Sequence, residues 1–265
     1  MAIDGVLRWR GPAAERVGES PCRLFAGNQQ ALVSRPGGAR TTTATHLAHD
    51  GTLGVCWVSP DAASTVRTAT AAGTQQEYRI DTRAVVQLAA NETAFALLTD
   101  EGRVCTWGDA RGLHALGREP TPDEPADRPA VVPALDGLVV TRIASGGAAS
   151  AALAESGDVY IWGAAEVDGL GGVPGEVALV DLPRGDVNVV DVAVGAGHVL
   201  VLTEDGEVWA AGENANGQLG REDGGVSGWR RWEGPWKGRV KRVYSGPFAW
   251  CSLVLVERDD DHGEE

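Results

Sequence analysis

No apolar stretch in this sequence approaches the eighteen or so residues needed to cross a bilayer. The first positions hold Asp4, Arg8, Arg10 and Glu15 where an export signal needs its apolar run. The expectation is a soluble, intracellular chain, cytoplasmic or nuclear, with no membrane partner. Basic residues are scarce: 23 Lys and Arg against 37 Asp and Glu leave a formal charge of −14. That balance argues against direct DNA binding, which takes a dense cationic footprint to displace counterions from phosphates. Cys22, Cys56, Cys105 and Cys251 are widely spaced with no C-x-x-C pair, so neither a disulfide framework nor a zinc site is indicated and reduced, buried thiols are expected. The five histidines form no cluster with cysteine, and no nucleophile has a base placed beside it. The reading is non-enzymatic, with no catalytic residue, metal or cofactor. Long amphipathic helical periodicity is also missing, which weakens any α/β architecture.

Glycine is abundant, and it recurs in a pattern. AFALLTDEGRVCTWG (94–108), SAALAESGDVYIWG (150–163) and HVLVLTEDGEVWAAG (198–212) each read as an apolar strand, a polar residue with Gly, and a second strand ending in Gly. In each the turn glycine precedes the terminal glycine by six positions: Gly102 and Gly108, Gly157 and Gly163, Gly206 and Gly212. Asp-Gly, Glu-Gly and Ser-Gly between alternating apolar residues are strong hairpin signals. A further strand precedes each copy, VVQLAAN (85–91), VTRIASG (140–146) and VDVAVG (190–195), ending eleven residues before the turn glycine. Where two copies end in Gly146 and Gly195 the other has Asn91, the non-glycine residue most tolerant of a left-handed backbone. That slot is therefore expected to need positive φ.

Weaker copies extend the series. Asp50-Gly51 carries a turn, although some twelve extra residues separate its strand from CRLFAG upstream. At the far end VKRVYSG (240–246) leads into SLVLV (252–256), and the turn and last strand are missing. Gly5 and Gly11, again six apart, would supply them from the N-terminus. Turn glycines near 5, 51, 102, 157 and 206 make a repeat of about fifty residues, which fits an all-β, single propeller of about five blades, with six or seven possible. Its domain spans residues 1–256, its ring is closed by pairing of the N- and C-terminal strands, and residues 257–265 form an acidic, disordered tail. Trp107 and Trp162 stand before terminal glycines and Trp209 two positions earlier on the same strand face, which makes all three core.

The string G-x-G-H-x-L-x-L-T-E-D-G-x-V-W-x-x-G-x-N-x-x-G-Q-L-G, residues 195–220, closely resembles the repeat of the regulator of chromosome condensation family. Residues 140–163 and 85–117 resemble it more loosely; the likeness covers roughly residues 85–256 well and the first 80 poorly. It implies a propeller that binds other proteins, as a monomer on its own. The founding member exchanges nucleotide on a nuclear GTPase and docks on nucleosomes. Smaller relatives partner an oxygenase resembling a histone demethylase, or a small zinc protein of the diphthamide and tRNA modification pathways. A scaffold or adaptor is the favoured function, and guanine-nucleotide exchange on a small GTPase, with chromatin association, the alternative. An exchange factor needs a protruding wedge, and only the insertion at residues 34–45 offers one.

Three segments compete as sites. Residues 228–242 concentrate Trp229, Arg230, Arg231, Trp232, Trp236 and Lys237 in an acidic protein, a candidate partner-binding patch, because Trp and Arg dominate binding hot spots. The bland alternative places Trp232 and Trp236 at the positions of Val131 and Leu135 in the earlier copy, as packing residues. His198 lacks an orienting partner, so a buried hydrogen-bonding role is favoured over catalysis. Residues 118–129, rich in proline and acid, read as a solvated or disordered loop.

Overall fold

In the computed structural model, residues 24–26, 29–31, 43–47, 53–59, 62–70, 75–163, 175–185, 187–220, 226–234, 236, 238–246 and 249–257 are described. They fold as antiparallel sheets arranged in sequence order. A short hairpin, β1 (Leu24–Ala26) and β2 (Gln29–Ala31), precedes a first blade of β3 (Thr43–Leu47), β4 (Leu53–Ser59), β5 (Ala62–Thr70) and β6 (Gln75–Arg79). The second blade comprises β7 (Val85–Ala90), β8 (Ala94–Thr99), β9 (Val104–Gly108) and β10 (Ala130–Val131). The third comprises β11 (Val140–Gly146), β12 (Ala149–Ala154), β13 (Val159–Gly163) and β14 (Ala178–Leu179). The fourth comprises β15 (Val189–Val194), β16 (His198–Thr203), β17 (Val208–Gly212) and β18 (Val226–Arg231). The pair β19 (Arg239–Tyr244) and β20 (Leu253–Glu257) continues the series. Within a blade the strands follow chain order, and the first strands β3, β7, β11, β15 and β19 neighbour one another in turn. This is a β-propeller of about five blades.

The hairpin reading holds at the second and third strands of three blades. Gly102, Gly157 and Gly206 have φ of 84°, 90° and 89°, and the N–H of each donates to the carbonyl three residues earlier, from Thr99, Ala154 and Thr203. Only glycine enters that left-handed region without steric cost. Gly51 falls between β3 and β4, the first two strands of their sheet, so the first blade carries the motif one strand earlier. Gly51 itself, like Gly5 and Gly11, lies outside the described residues. Pairing of residues 4–11 with the C-terminal strand lies there too.

The core sits between blades. Strands β8, β12 and β16 are buried on both faces, so alternate residues serve opposite neighbours. Phe95 and Leu97 meet Cys56, Val58 and Val66 of the first blade, while Ala96 and Leu98 meet Ile143, Ala152 and Trp162 of the third. Trp107 and Trp162 are buried and Trp209 is half-buried; each packs its blade against the preceding one. The shared strand face expected of these three is what produces that common direction.

Two expectations are corrected by the backbone and its contacts. Gly146 and Gly195 are absent from the positive-φ positions, which fall instead at Gly147 and Gly197, and Asn91 is not left-handed either. The slot needs a missing side chain: a Cβ on Gly146 would stand 2.4 Å from the Val194 carbonyl oxygen, and one on Gly195 would stand 2.1 Å from the His198 ring. Asn91 instead accepts the N–H groups of Thr93 and Ala94 on its Oδ1, and its amide donates to Ser150 Oγ at 3.2 Å. The proline-rich loop 118–129 is solvated as one alternative had it, with most of residues 119–128 exposed, but it is ordered and not disordered, because it wraps the buried Arg118 guanidinium. That group donates to the carbonyls of Thr106, Glu124, Pro125 and Arg128.

A register shift that no sequence pattern announces interrupts β7, β11, β15 and β19 at Val85/Gln87, Val140/Arg142, Val189/Asp191 and Val240/Arg242. Each is a one-residue bulge, which re-aims the residues that follow. Past it, Gln87, Arg142, Asp191 and Arg242 occupy equivalent positions, and the first three reach toward the next blade or its ion pair.

Candidate partner-binding surface

The segment singled out for its tryptophans and arginines is built from β18 onward. β18 is the outer strand of the fourth blade, paired with β17 so that Arg231 faces Trp209 and Arg230 faces Ala210. A register shift between Ala210 and Gly212, with Gly228 at φ 83°, turns the strand before Trp229. Trp229 then points inward, 6% exposed, among Ile161, Val201 and Ala211. This corrects the expectation for Trp229: its indole is core and adds nothing to a surface. Arg230 is exposed, and exposed Arg231 pairs with Glu207 at 3.2 Å.

Trp232 and Trp236 are half-buried and meet edge to face, centroids 5.1 Å apart at 88°. Both lean on the cluster of Leu219, Val240 and Val243. The Trp232 N–H donates to the Val208 carbonyl as the Val132 N–H does to Val104, so Trp232 matches Val132, one residue beyond the Val131 of the sequence alignment. Leu135, the expected match for Trp236, does pack in the corresponding cluster of the preceding pair of blades. Gly220 lies under the Trp232 ring, where a Cβ would come 2.8 Å from its Nε1. Strand alternation thus sets exposed Arg230 on the face of the propped aromatic pair and exposed Arg231 on the opposite face, with Trp229 as the anchor beneath Arg231. Lys237 lies outside the described residues.

His198 is fully buried at the start of β16. Its Nε2 lies 3.0 Å from Ser252 Oγ and 3.3 Å from Ser245 Oγ, both in the β19–β20 unit, and its Nδ1 lies 3.4 Å from the Ala196 carbonyl. Burial pushes the imidazole below its ordinary pKa, so the neutral ring clasps one blade to the next. The pair Ser145 and Ser150 matches Ser245 and Ser252 at the interface between second and third blades, 2.8 Å apart, with Asn91 of the second blade as donor.

Asp191 is also fully buried. Burial raises its carboxyl above the usual value against the pull of Arg142, the Val243 N–H and Arg242. The thiols of Cys56, Cys105 and Cys251 are free and shifted up by burial, Cys105 to about 11, which leaves them poor nucleophiles. Among the described residues no three His, Cys, Asp or Glu gather as a metal ion would need, and no helix is long and apolar enough to cross a membrane.

Comparison with known proteins agrees with this architecture. Residues 189–218, running from β15 through the Asn-Gly-Gln loop, match the family model described as the regulator of chromosome condensation (RCC1) repeat. The chain is 39% identical over 138 residues to human E3 ubiquitin-protein ligase HERC2, covering 49% of this chain and 3% of that protein. It is 33% identical over 169 residues to the mitochondrial RCC1 domain-containing protein RUG3 of Arabidopsis thaliana, covering 60% and 37%. Among solved structures it resembles human WBSCR16, with TM-score 0.63 and 16% identity, covering 89% of this chain and 64% of that one. Yeast RCC1 (Prp20), solved bound to Kap60, gives TM-score 0.55 and 18% identity, covering 77% and 52%. The chain therefore spans well under two thirds of the length of these curated relatives.

Proposed function

We propose that this chain, whose fourth blade matches the regulator of chromosome condensation repeat, is a non-enzymatic scaffold that holds a partner protein against one side of the propeller. The observation that carries this reading is the β18 edge. Exposed Arg230 shares a strand face with the half-buried Trp232–Trp236 pair, and exposed Arg231 stands on the opposite face, in a chain of charge −14. A guanidinium near a partly desolvated indole is the composition of an interface hot spot; its charge suits an acidic protein surface, and the net charge of −14 on the whole chain repels the phosphates of DNA. The cytosol or nucleus is the proposed compartment.

Arg230→Ala with Arg231→Ala, made together, tests the proposal by affinity capture from cell extract and mass spectrometry. Loss of a specific partner, with unchanged thermal stability, supports it. An unchanged set of partners removes this edge from consideration. Nucleotide exchange on a small GTPase is the competing function, drawn from the family; accelerated nucleotide release across a GTPase panel would establish it in place of the scaffold.

A further inference from the structure

At the other end of the blades, the tight turns between first and second strands form a continuous arc. The Glu92 N–H donates to the Gly147 carbonyl at 2.7 Å, and the Ala196 N–H to the Ala249 carbonyl at 3.1 Å. Gly147 and Ala196 touch directly, since a Cβ on Gly147 would lie 3.2 Å from the Ala196 Cα. Four consecutive blades are thereby stitched backbone to backbone, with only small side chains over the third and fourth. Next to buried Ala249, Trp250 stands 64% exposed, the most exposed large apolar side chain among the described residues.

Two exposed carboxylates flank the same arc. Glu92 sits on the second-blade turn, and Glu213 borders the fourth, its N–H bound to the Gly197 carbonyl at 2.9 Å and its carboxylate 2.9 Å from the place a Gly197 Cβ would take. Among the described residues no cation pairs with either. An exposed indole at one end of a low floor, with exposed carboxylates at the second and fourth turns of the same arc, has one complementary ligand chemistry. A guanidinium stacks on the indole face and offers paired N–H donors to a carboxylate, which a compact ammonium cannot do as well. The low floor of Gly147 and Ala196 admits an extended backbone, and the overall charge of −14 draws such a segment in.

We propose that this turn face, with Trp250 as anchor and Glu92 and Glu213 as flanking carboxylates, binds an arginine-rich, extended protein segment. The site is independent of Arg230 and Arg231, so its failure leaves the scaffold reading standing, and the reverse.

The test is fluorescence anisotropy with a labelled dodecapeptide of repeated Arg-Gly-Gly, titrated with the full chain at physiological ionic strength. Trp250→Ala is expected to weaken binding about tenfold, as loss of a hot-spot aromatic does. Glu92→Gln with Glu213→Gln is expected to weaken it several-fold, and the Lys-Gly-Gly peptide to bind more weakly than the arginine one. Unchanged thermal stability and circular dichroism of Trp250→Ala exclude a folding effect. The proposal is overturned if wild-type protein does not bind the peptide, if Trp250→Ala binds as wild type does, or if the lysine peptide binds as well. It is equally overturned if Glu155→Gln with Asp158→Asn, at the opposite end of the third blade, weakens binding as much.

Discussion

Asp191 and Arg142 meet across two blades: Oδ1 of the buried carboxylate lies 2.9 Å from the guanidinium Nε. The other oxygen, Oδ2, accepts the Val243 N–H at 3.1 Å and faces Arg242 at 3.9 Å. A single side chain on β15 therefore holds β11 on one side and β19 on the other. Gln87 acts likewise at the interface between second and third blades, where its amide exchanges hydrogen bonds with the Ile143 backbone at 2.5 and 3.0 Å. The blades are joined by specific polar contacts as well as by apolar packing.

Truncating that carboxylate strands a partly buried guanidinium and a backbone N–H. Asp191→Ala is expected to cost about 3 kcal/mol, in the range for breaking a buried pair. Asp191→Asn keeps an acceptor for Val243 and loses less. Urea denaturation of both variants measures the difference, and equal losses would assign the effect to the ion pair alone.

The His198 clasp carries a pH dependence of definite sign. Its folded-state pKa is depressed below 6.5 by burial, so the stability it contributes is present above 6.5 and is lost as pH falls through the folded value. Thermal melts of wild type are expected to drop as pH is lowered across that range, and His198→Gln to flatten that region of the profile. A Gln variant with the same slope would place the dependence elsewhere.

Neighbouring positions on β18 are expected to behave in opposite ways. Trp229→Ala empties a portion of the core between third and fourth blades and is expected to cost about 3–5 kcal/mol. Arg230→Ala, on an exposed side chain, is expected to shift stability by under about 0.5 kcal/mol. Chemical denaturation distinguishes them directly.

Arg118 organises the loop that its sequence marks as solvated or disordered. Arg118→Ala removes donors from four carbonyls and is expected to destabilise by about 2–3 kcal/mol, since buried acceptors left unmet are costly. Limited proteolysis is expected to cut within residues 119–129 of the variant while sparing wild type. Equal resistance of the two would show that the loop holds without Arg118.

Closure of the ring can be tested at β20. Leu255 occupies the place of Leu202, yet it is 41% exposed where Leu202 is 2% exposed, and β20 pairs with β19 alone among the described strands. By the register of Leu98 with Val104, a strand begun by the Gly5 turn sets Leu7 opposite Leu255. Leu7→Cys with Leu255→Cys is expected to form a disulfide under mild oxidation, and deletion of residues 1–12 to lower the melting temperature. If neither occurs, the two ends are not partners.

Much of the fold was legible because its strongest signals are local. A glycine six residues before another, with an acidic or polar residue ahead of the first, encodes a hairpin whatever surrounds it, and Gly102, Gly157 and Gly206 adopt the left-handed backbone that the turn demands. The alternation that placed Trp107, Trp162 and Trp209 on one face is equally local. The site was less legible. Trp229 and Arg230 are adjacent and both large, and nothing in their order says which one the strand turns inward; the twist at Gly228 and the neighbouring blade decide it.

Residue order alone was enough for the repeat, the hairpins and the all-β class, since these follow from backbone preferences and strand periodicity within some twenty residues. How the blades hold together was settled by their packing in three dimensions: bulges at Val86, Thr141, Val190 and Lys241 re-aim the residues after them, Asp191 lies between two arginines, and His198 meets serines some fifty positions away. Those contacts join residues of different repeats, and the partner of a buried polar group is fixed by which blade stands beside it, a relation that no local pattern in the chain encodes.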